Sequence, residues 1–138
     1  MLTDEHRAME LLDRVPFGRV AASIRAMPFV APARHAVAEG CVLLRLHEDL
    51  GYRRLSGGCV MAYCADNFGS ADAELWSVQL TGTAEIIDPT PGELELFGIG
   101  PQQVDDEPLD PVYMRLVPQF VTVHMLDNSR ERRSGHAA

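Results

Sequence analysis

Two apolar runs, at residues 41–46 and 59–64, constrain the fold of this chain more than any other feature. Both runs end in or near glycine-containing turns, and a charged stretch at 48–55 separates them. Short apolar runs between turn formers are typical of strands in a protein core. The sequence therefore predicts two core strands joined by a short helical crossing.

One charged residue, Arg45, lies inside the first run. A charge in a core strand needs a partner, and two interpretations stay open. In one, Arg45 points outward and pairs with Glu48, Asp49 or a carboxylate on the next strand. In the other, Arg45 and Arg53 converge on one small anion, because a guanidinium group offers a planar fork to phosphate or carboxylate.

The rest of the chain also favours strands over helices. Alternating apolar residues predict four further strands, at 17–24, 29–37, 75–87 and 117–126. Helical spacing predicts a helix at 3–14, a short helix at 92–97 capped by Thr90, and a helical turn at 112–116. Pro32 suggests an edge position or a bulge, and Gly82 a bulge or sharp bend. The prediction is a mainly β protein, a small closed barrel in one domain at 1–127, followed by a disordered tail at 128–138.

Composition excludes several classes of function. The net charge of −8 argues against nucleic-acid binding, and no apolar stretch approaches the length that spans a membrane. The acidic start of the chain does not resemble a signal peptide. Three cysteines fit no zinc pattern, so we expect reduced thiols, a cytoplasmic location and no metal site.

Six weak motifs, in order, carry a resemblance to a known family. They are LLDRVPFGRVA with the proline-bearing strand after it, the block L-R-x-(x)4-G-x-R-R-L, W-S-V, L-x-G-x-A-E, and R-L-V-P-x-x-V-T-V. Together they resemble the pyridoxamine-phosphate-oxidase-like family of flavin-binding split barrels. The resemblance implies a six-stranded split β-barrel with a few short flanking helices, which forms a homodimer and holds flavin mononucleotide (FMN) between its subunits.

The resemblance also assigns residues to the cofactor. Arg45 and Arg53, with Arg54 beside them, match the phosphate anchors of the family. The strand through Trp76, Ser77 and Val78 would supply main-chain and hydroxyl contacts. Arg34 and His35 occupy positions close to the flavin ring. The implied function is an FMN-dependent oxidoreductase that acts on a small molecule, with no side chain as nucleophile.

A second interpretation is a non-catalytic or degenerate split barrel. It would bind another small ligand, such as a deazaflavin coenzyme or haem, or a partner protein. Leu46, where relatives carry a hydroxyl residue, and the carboxylates of Glu48 and Asp49 beside the phosphate anchors favour it. For haem, His35, His47 or His124 would be the axial ligand.

Overall fold

A computed structural model describes residues 4–47, 58–98, 100, 103–104 and 106–127. The elements in chain order are α1 (Asp4–Leu12), β1 (Phe17–Ile24), β2 (Met27–Ala38), β3 (Cys41–His47), β4 (Cys59–Asp66), β5 (Glu74–Ile87), α2 (Pro91–Phe97), β6 (Gln103–Val104), β7 (Glu107–Pro108) and β8 (Pro111–Asp127). The predicted helical crossing at 48–55, the predicted anchors Arg53 and Arg54, and the tail at 128–138 lie outside the described residues.

Six antiparallel strands close into a barrel in the order β1-β2-β3-β8-β5-β4, while β6 and β7 form a separate small hairpin. This confirms the predicted mainly β, six-stranded split barrel with short flanking helices. The two helices among the described residues are too short to cross a membrane.

Strand alternation builds the core. Successive side chains point to opposite faces of a strand, so every second residue enters the barrel. The largest fully buried side chains inside the barrel include Leu44, Met61, Tyr63, Leu80 and Met114. Helix α1 packs against this core through Ala8, Leu11 and Leu12.

The last strand differs from the prediction. The helical turn expected at 112–116 is wrong, because β8 is one strand from Pro111 to Asp127. Val112, Met114 and Leu116 alternate into the core while the segment pairs with β3, which is a period-two pattern. The bulge predicted at Gly82 is confirmed by a register shift between Thr81 and Gly82 in the pairing of β5 with β8.

Candidate functional site

Two arginines lie side by side on the outer wall of the barrel. Arg34 on β2 is the direct cross-strand partner of Arg45 on β3. Cα atoms of directly opposed residues in antiparallel strands are about 5 Å apart, and their side chains share one face. The structure therefore brings together two of the predicted cofactor residues, which we call the arginine pair.

Arg45 points outward, as one interpretation of the sequence predicted, but no described residue offers it a carboxylate. Its guanidinium carbon lies 5.2 Å from the ring centroid of Phe97, the last residue of α2. Its Nη2 atom is buried and has no hydrogen-bond partner. Gly100 lies so close to this atom that a Cβ on Gly100 would overlap it. A buried donor without a partner is rare in folded proteins, so Nη2 keeps an unused capacity to donate a hydrogen bond.

Arg34 uses its guanidinium to hold main-chain oxygens. Its Nη2 atom donates to Phe97 O at 2.7 Å, and its Nη1 atom donates to Pro16 O at 3.2 Å and to His35 O. Burial, and then the charge of Arg45, lower the pKa of Arg34. All three acceptors are neutral, so the positive charges of the arginine pair are not compensated by these contacts.

The arginine pair has the properties of an anion site. Like charges directly opposite each other on a sheet destabilise it, unless a counter-charge binds between them. Guanidinium groups form short, charge-assisted hydrogen bonds with phosphate and carboxylate oxygens. The unpartnered Nη2 of Arg45 and the second guanidinium beside it therefore suit an anionic group such as a phosphate or a carboxylate.

His35 lies elsewhere, because it follows Arg34 on the strand and so faces inward. The side chain is 2% exposed. Its Nε2 atom is 2.7 Å from Leu12 O, and its Nδ1 atom is hydrogen-bonded to the Tyr63 hydroxyl. A neutral imidazole that donates from Nε2 and accepts at Nδ1 satisfies both contacts. His35 thus joins α1 to the barrel interior, and its predicted contact with a cofactor stays a prediction.

The buried His35 gives a prediction about pH. Burial lowers its pKa below the ordinary value of 6.5, so the folded protein resists a proton that the unfolded chain accepts. The contribution of neutral His35 to the free energy of unfolding is therefore complete above about pH 6.5. It falls as the pH drops below this value, by up to about 1 kcal/mol at pH 5.5. Urea unfolding at both pH values measures this loss. His35→Gln should flatten the dependence and His124→Gln, on an exposed residue, should not; equal slopes in both variants would contradict the assignment.

The predicted Trp76-Ser77-Val78 contacts are divided between the two faces of β5. Trp76 and Val78 are buried in the core, so only Ser77 presents its side chain outward. Ser77 is also not a register neighbour of the arginine pair. Strand β8 pairs with both β3 and β5, and on it Arg45 lies opposite Tyr113 whereas Ser77 lies opposite His124, 11 residues further along.

A cavity of about 310 Å³ adjoins Arg34. The end of α1, the outer part of β2 and α2 enclose it, and Asp13, Pro16, Arg34 and Leu96 are among its lining residues. Small-molecule sites begin at about this volume. Within the described part of the chain, no cluster of three or more His, Cys, Asp or Glu side chains is placed to hold a metal ion.

Sequence reasoning missed three residues of this region. Phe97 lies at the end of a short helix, Gly100 in the connection after it, and Tyr63 inside an apolar run. For Tyr63 a signal was present, because a tyrosine in a core strand needs a partner for its hydroxyl. For Phe97 and Gly100 no local pattern indicates that they contact Arg45.

The structure is thus a split barrel with two directly opposed arginines on its outer wall. The family model described as pyridoxamine 5'-phosphate oxidase matches residues 4–125, so the chain belongs to this family. An uncharacterized protein of Mycobacterium tuberculosis, Rv0080, is 37% identical over 92 residues, which are 62% of this chain. The match spans 60% of that relative's length.

Solved structures share the fold. A protein of Corynebacterium glutamicum, provisionally assigned as a pyridoxamine 5'-phosphate oxidase, superposes with a TM-score of 0.71 at 23% identity over 91% of both chains. An FAD binding protein of Mycobacterium smegmatis superposes with a TM-score of 0.65 at 18% identity, over 88% of this chain and 94% of its own. A heme binding protein of the same species superposes with a TM-score of 0.63 at 14% identity, over 94% of this chain and 60% of its own.

Proposed function

We propose that the protein is an FMN-dependent oxidoreductase that acts on a small molecule. The observation that carries the proposal is the buried, unpartnered Nη2 of Arg45 beside Arg34. Membership of the pyridoxamine 5'-phosphate oxidase family and the structural likeness to an FAD binding protein support a flavin as the ligand. The three cysteines are free, in keeping with a reducing cytoplasm.

Different parts of the chain would bind the cofactor and the substrate. When bound, the flavin supplies the hydride-transfer chemistry, so the chain needs no nucleophile of its own. Arg45 and Arg34 would neutralise the phosphate. The cavity of about 310 Å³ beside Arg34 would receive the small-molecule substrate.

Haem is a weaker candidate for this chain, although one structural neighbour is a heme binding protein. Both ring nitrogens of His35 are hydrogen-bonded inside the core, which removes this residue as an axial ligand in this conformation. Nδ1 of His47 accepts a hydrogen bond from the Asp110 amide. The exposed His124 lies opposite Ser77, on a different part of the barrel from the arginine pair.

The first test is the visible absorption spectrum of the purified protein, with and without added FMN. We expect a flavin band that survives gel filtration, and a loss of about 10-fold or more in FMN affinity on Arg45→Gln, because charge-assisted hydrogen bonds to phosphate disappear. Arg7→Gln, on the exposed face of α1, is the matched control and should bind as the parent does. A colourless protein that ignores FMN would instead indicate a degenerate barrel or a different ligand.

We also propose that two copies of the chain pair through an apolar row on the outer wall. The row follows the register across five strands: Val30, Ala21, Ala62, Thr81 and Phe120. Val30 and Phe120 are 66% and 72% exposed. Exposed apolar surface of this kind marks an interaction site.

A second copy is the occupant that fits this row best. Val30 lies on the same face of β2 as Arg34, about 13 Å along the strand, so the row is continuous with the anion site. A groove between two copies would bring a second outer wall, including a second Ser77, towards each arginine pair. The arginine pair of one subunit and Ser77 of the other would then contact the same ligand, which the two groups of a single subunit are too far apart to do.

Replacing Phe120 with aspartate should separate the copies, because a carboxylate would be buried without a partner in the interface. Sedimentation should give twice 15.2 kDa for the parent and 15.2 kDa for Phe120→Asp. Phe68→Asp, an exposed aromatic in the loop between β4 and β5, is the control and should leave the mass unchanged. A parent protein that sediments as a monomer would overturn the proposal.

A further inference from the structure

A groove beside α2 takes no part in the proposed flavin site. It has a volume of about 700 Å³, and residues from the end of β5, from α2 and from the start of β8 line it. Ile86, Ile87, Leu94 and Tyr113 are among these residues, and Asp88 is the only charged one in the part of the lining that the structure describes. Apolar surface that is left open on a folded chain marks a site of interaction.

The walls of this groove are held in place by several contacts. Ile87 and Tyr113 are direct partners in the pairing of β5 with β8. Thr90 and Glu93 form a capping box at the start of α2, and Arg115 on β8 pairs with the Glu93 carboxylate at 3.1 Å. A preformed groove loses little conformational freedom when a ligand binds, so more of the contact energy is retained as affinity.

The net charge of the chain is concentrated around this groove. Residues 85–115 hold eight of the twenty acidic residues and one of the twelve basic ones, so this segment carries −7 of the net charge of −8. The remainder of the chain, with twelve acidic and eleven basic residues, is nearly neutral. Asp88 lines the groove, and the exposed Glu95 and Asp110 are chain neighbours of two lining residues. We call these three carboxylates the acidic rim; together with the rest of the segment they attract cations.

Two occupants from the chain itself do not suit the groove. A second copy that presented the same surface would bring negative charge against negative charge, which opposes association. Residues 128–138 include three arginines but no large apolar side chain, so this segment offers nothing to fill the apolar walls. The occupant therefore needs basic and apolar side chains together.

We propose that the groove docks a basic and apolar segment of a partner protein. Apolar side chains of the partner enter between Leu94 and the strands, and its arginines or lysines pair with the acidic rim. Because Asp88 follows Ile87, the direct partner of Tyr113, an arginine in the groove can stack on the tyrosine ring and pair with the carboxylate. This inference does not depend on the flavin function, since none of these residues is assigned to the cofactor.

A library of random dodecapeptides, displayed on phage and selected on the full-length protein, tests the chemistry of the partner. We expect the selected peptides to be enriched in arginine or lysine together with leucine or aromatic residues. Enriched peptides that lack basic residues would overturn the proposal, and so would a selection that enriches no peptide at all.

The place of binding is tested by fluorescence anisotropy with one selected peptide. Leu94→Ser should weaken its binding about 10-fold, because a side chain that the peptide would bury loses its apolar surface. Leu96→Ser is the matched control, since Leu96 lies on the same helix and is 49% exposed against 42% for Leu94, but it lines the other cavity. Equal affinities of the two variants would show that the peptide does not occupy the groove.

The contribution of the acidic rim is tested with two pairs of substitutions that change the net charge equally. Asp88→Asn combined with Glu95→Gln should weaken peptide binding about 5-fold. Glu5→Gln combined with Glu10→Gln, on exposed residues of α1, should leave it nearly unchanged. Circular dichroism checks that each variant is folded. An equal loss in both pairs would show attraction to the overall negative charge alone, and would refute docking at this groove.

Discussion

Replacing Gly82 with alanine is expected to lower the free energy of unfolding by about 3 kcal/mol, and the melting temperature by roughly 10 °C. A Cβ on Gly82 would overlap the carbonyl oxygen of Val117 and lie 3.0 Å from the Cα of Pro118. These are main-chain atoms of the neighbouring strand, so no side-chain rotation relieves the overlap. The strands β5 and β8 would have to separate at the bulge in their pairing.

Urea unfolding followed by the fluorescence of Trp76 measures this effect. Trp76 is the only tryptophan of the chain and is 3% exposed, so its emission reports on the core. Gly92→Ala is the matched control: its nearest contact would be Thr90 Oγ1 at 3.9 Å, in the first turn of α2. That variant should keep or slightly raise the stability, because alanine favours helix. If Gly82→Ala were as stable as Gly92→Ala, the close approach at the bulge would be refuted.

The fold could be predicted largely from period-two patterns. Residues 17–24 and 75–87 show clear alternation, and the strands appear there within one residue. The helical turn predicted at 112–116 was wrong, although Val112, Met114 and Leu116 alternate with a period of two. The prolines and acidic residues before this segment suggested a connection, whereas its pairing with β3 makes it a strand.

The site could be predicted only in part. Arg45 stands out because it is a charge inside an apolar run, but its direct partner Arg34 depends on the register of β2 and β3. For Trp76 and Val78 the alternation already placed both side chains on the buried face, so only Ser77 is free to contact a ligand through its side chain. A family motif indicates which positions lie near the ligand, whereas the alternation of side chains along a strand decides which of them point to the surface.

Gly18→Ala is expected to destabilise the protein by a similar amount, about 3 kcal/mol, for a different reason. A Cβ on Gly18 would lie 2.5 Å from the hydroxyl and 2.6 Å from the Cζ of Tyr63, and would overlap the carbonyl oxygen of Cys64. The Tyr63 ring would have to leave its place beside His35, to which it is hydrogen-bonded. His35 would then be left in the core with an unsatisfied ring nitrogen.

A double-mutant cycle with Tyr63→Phe isolates this cause. Tyr63→Phe alone should lose about 1–2 kcal/mol, because the hydrogen bond to His35 disappears. Adding Gly18→Ala should then be less damaging than in the parent, since the hydroxyl that its Cβ would meet is gone and the bond to His35 is already lost. The overlap with Cys64 belongs to the pairing of β1 with β4 and should persist in both backgrounds. Strict additivity would show that Gly18 acts on that strand pairing alone and not through Tyr63.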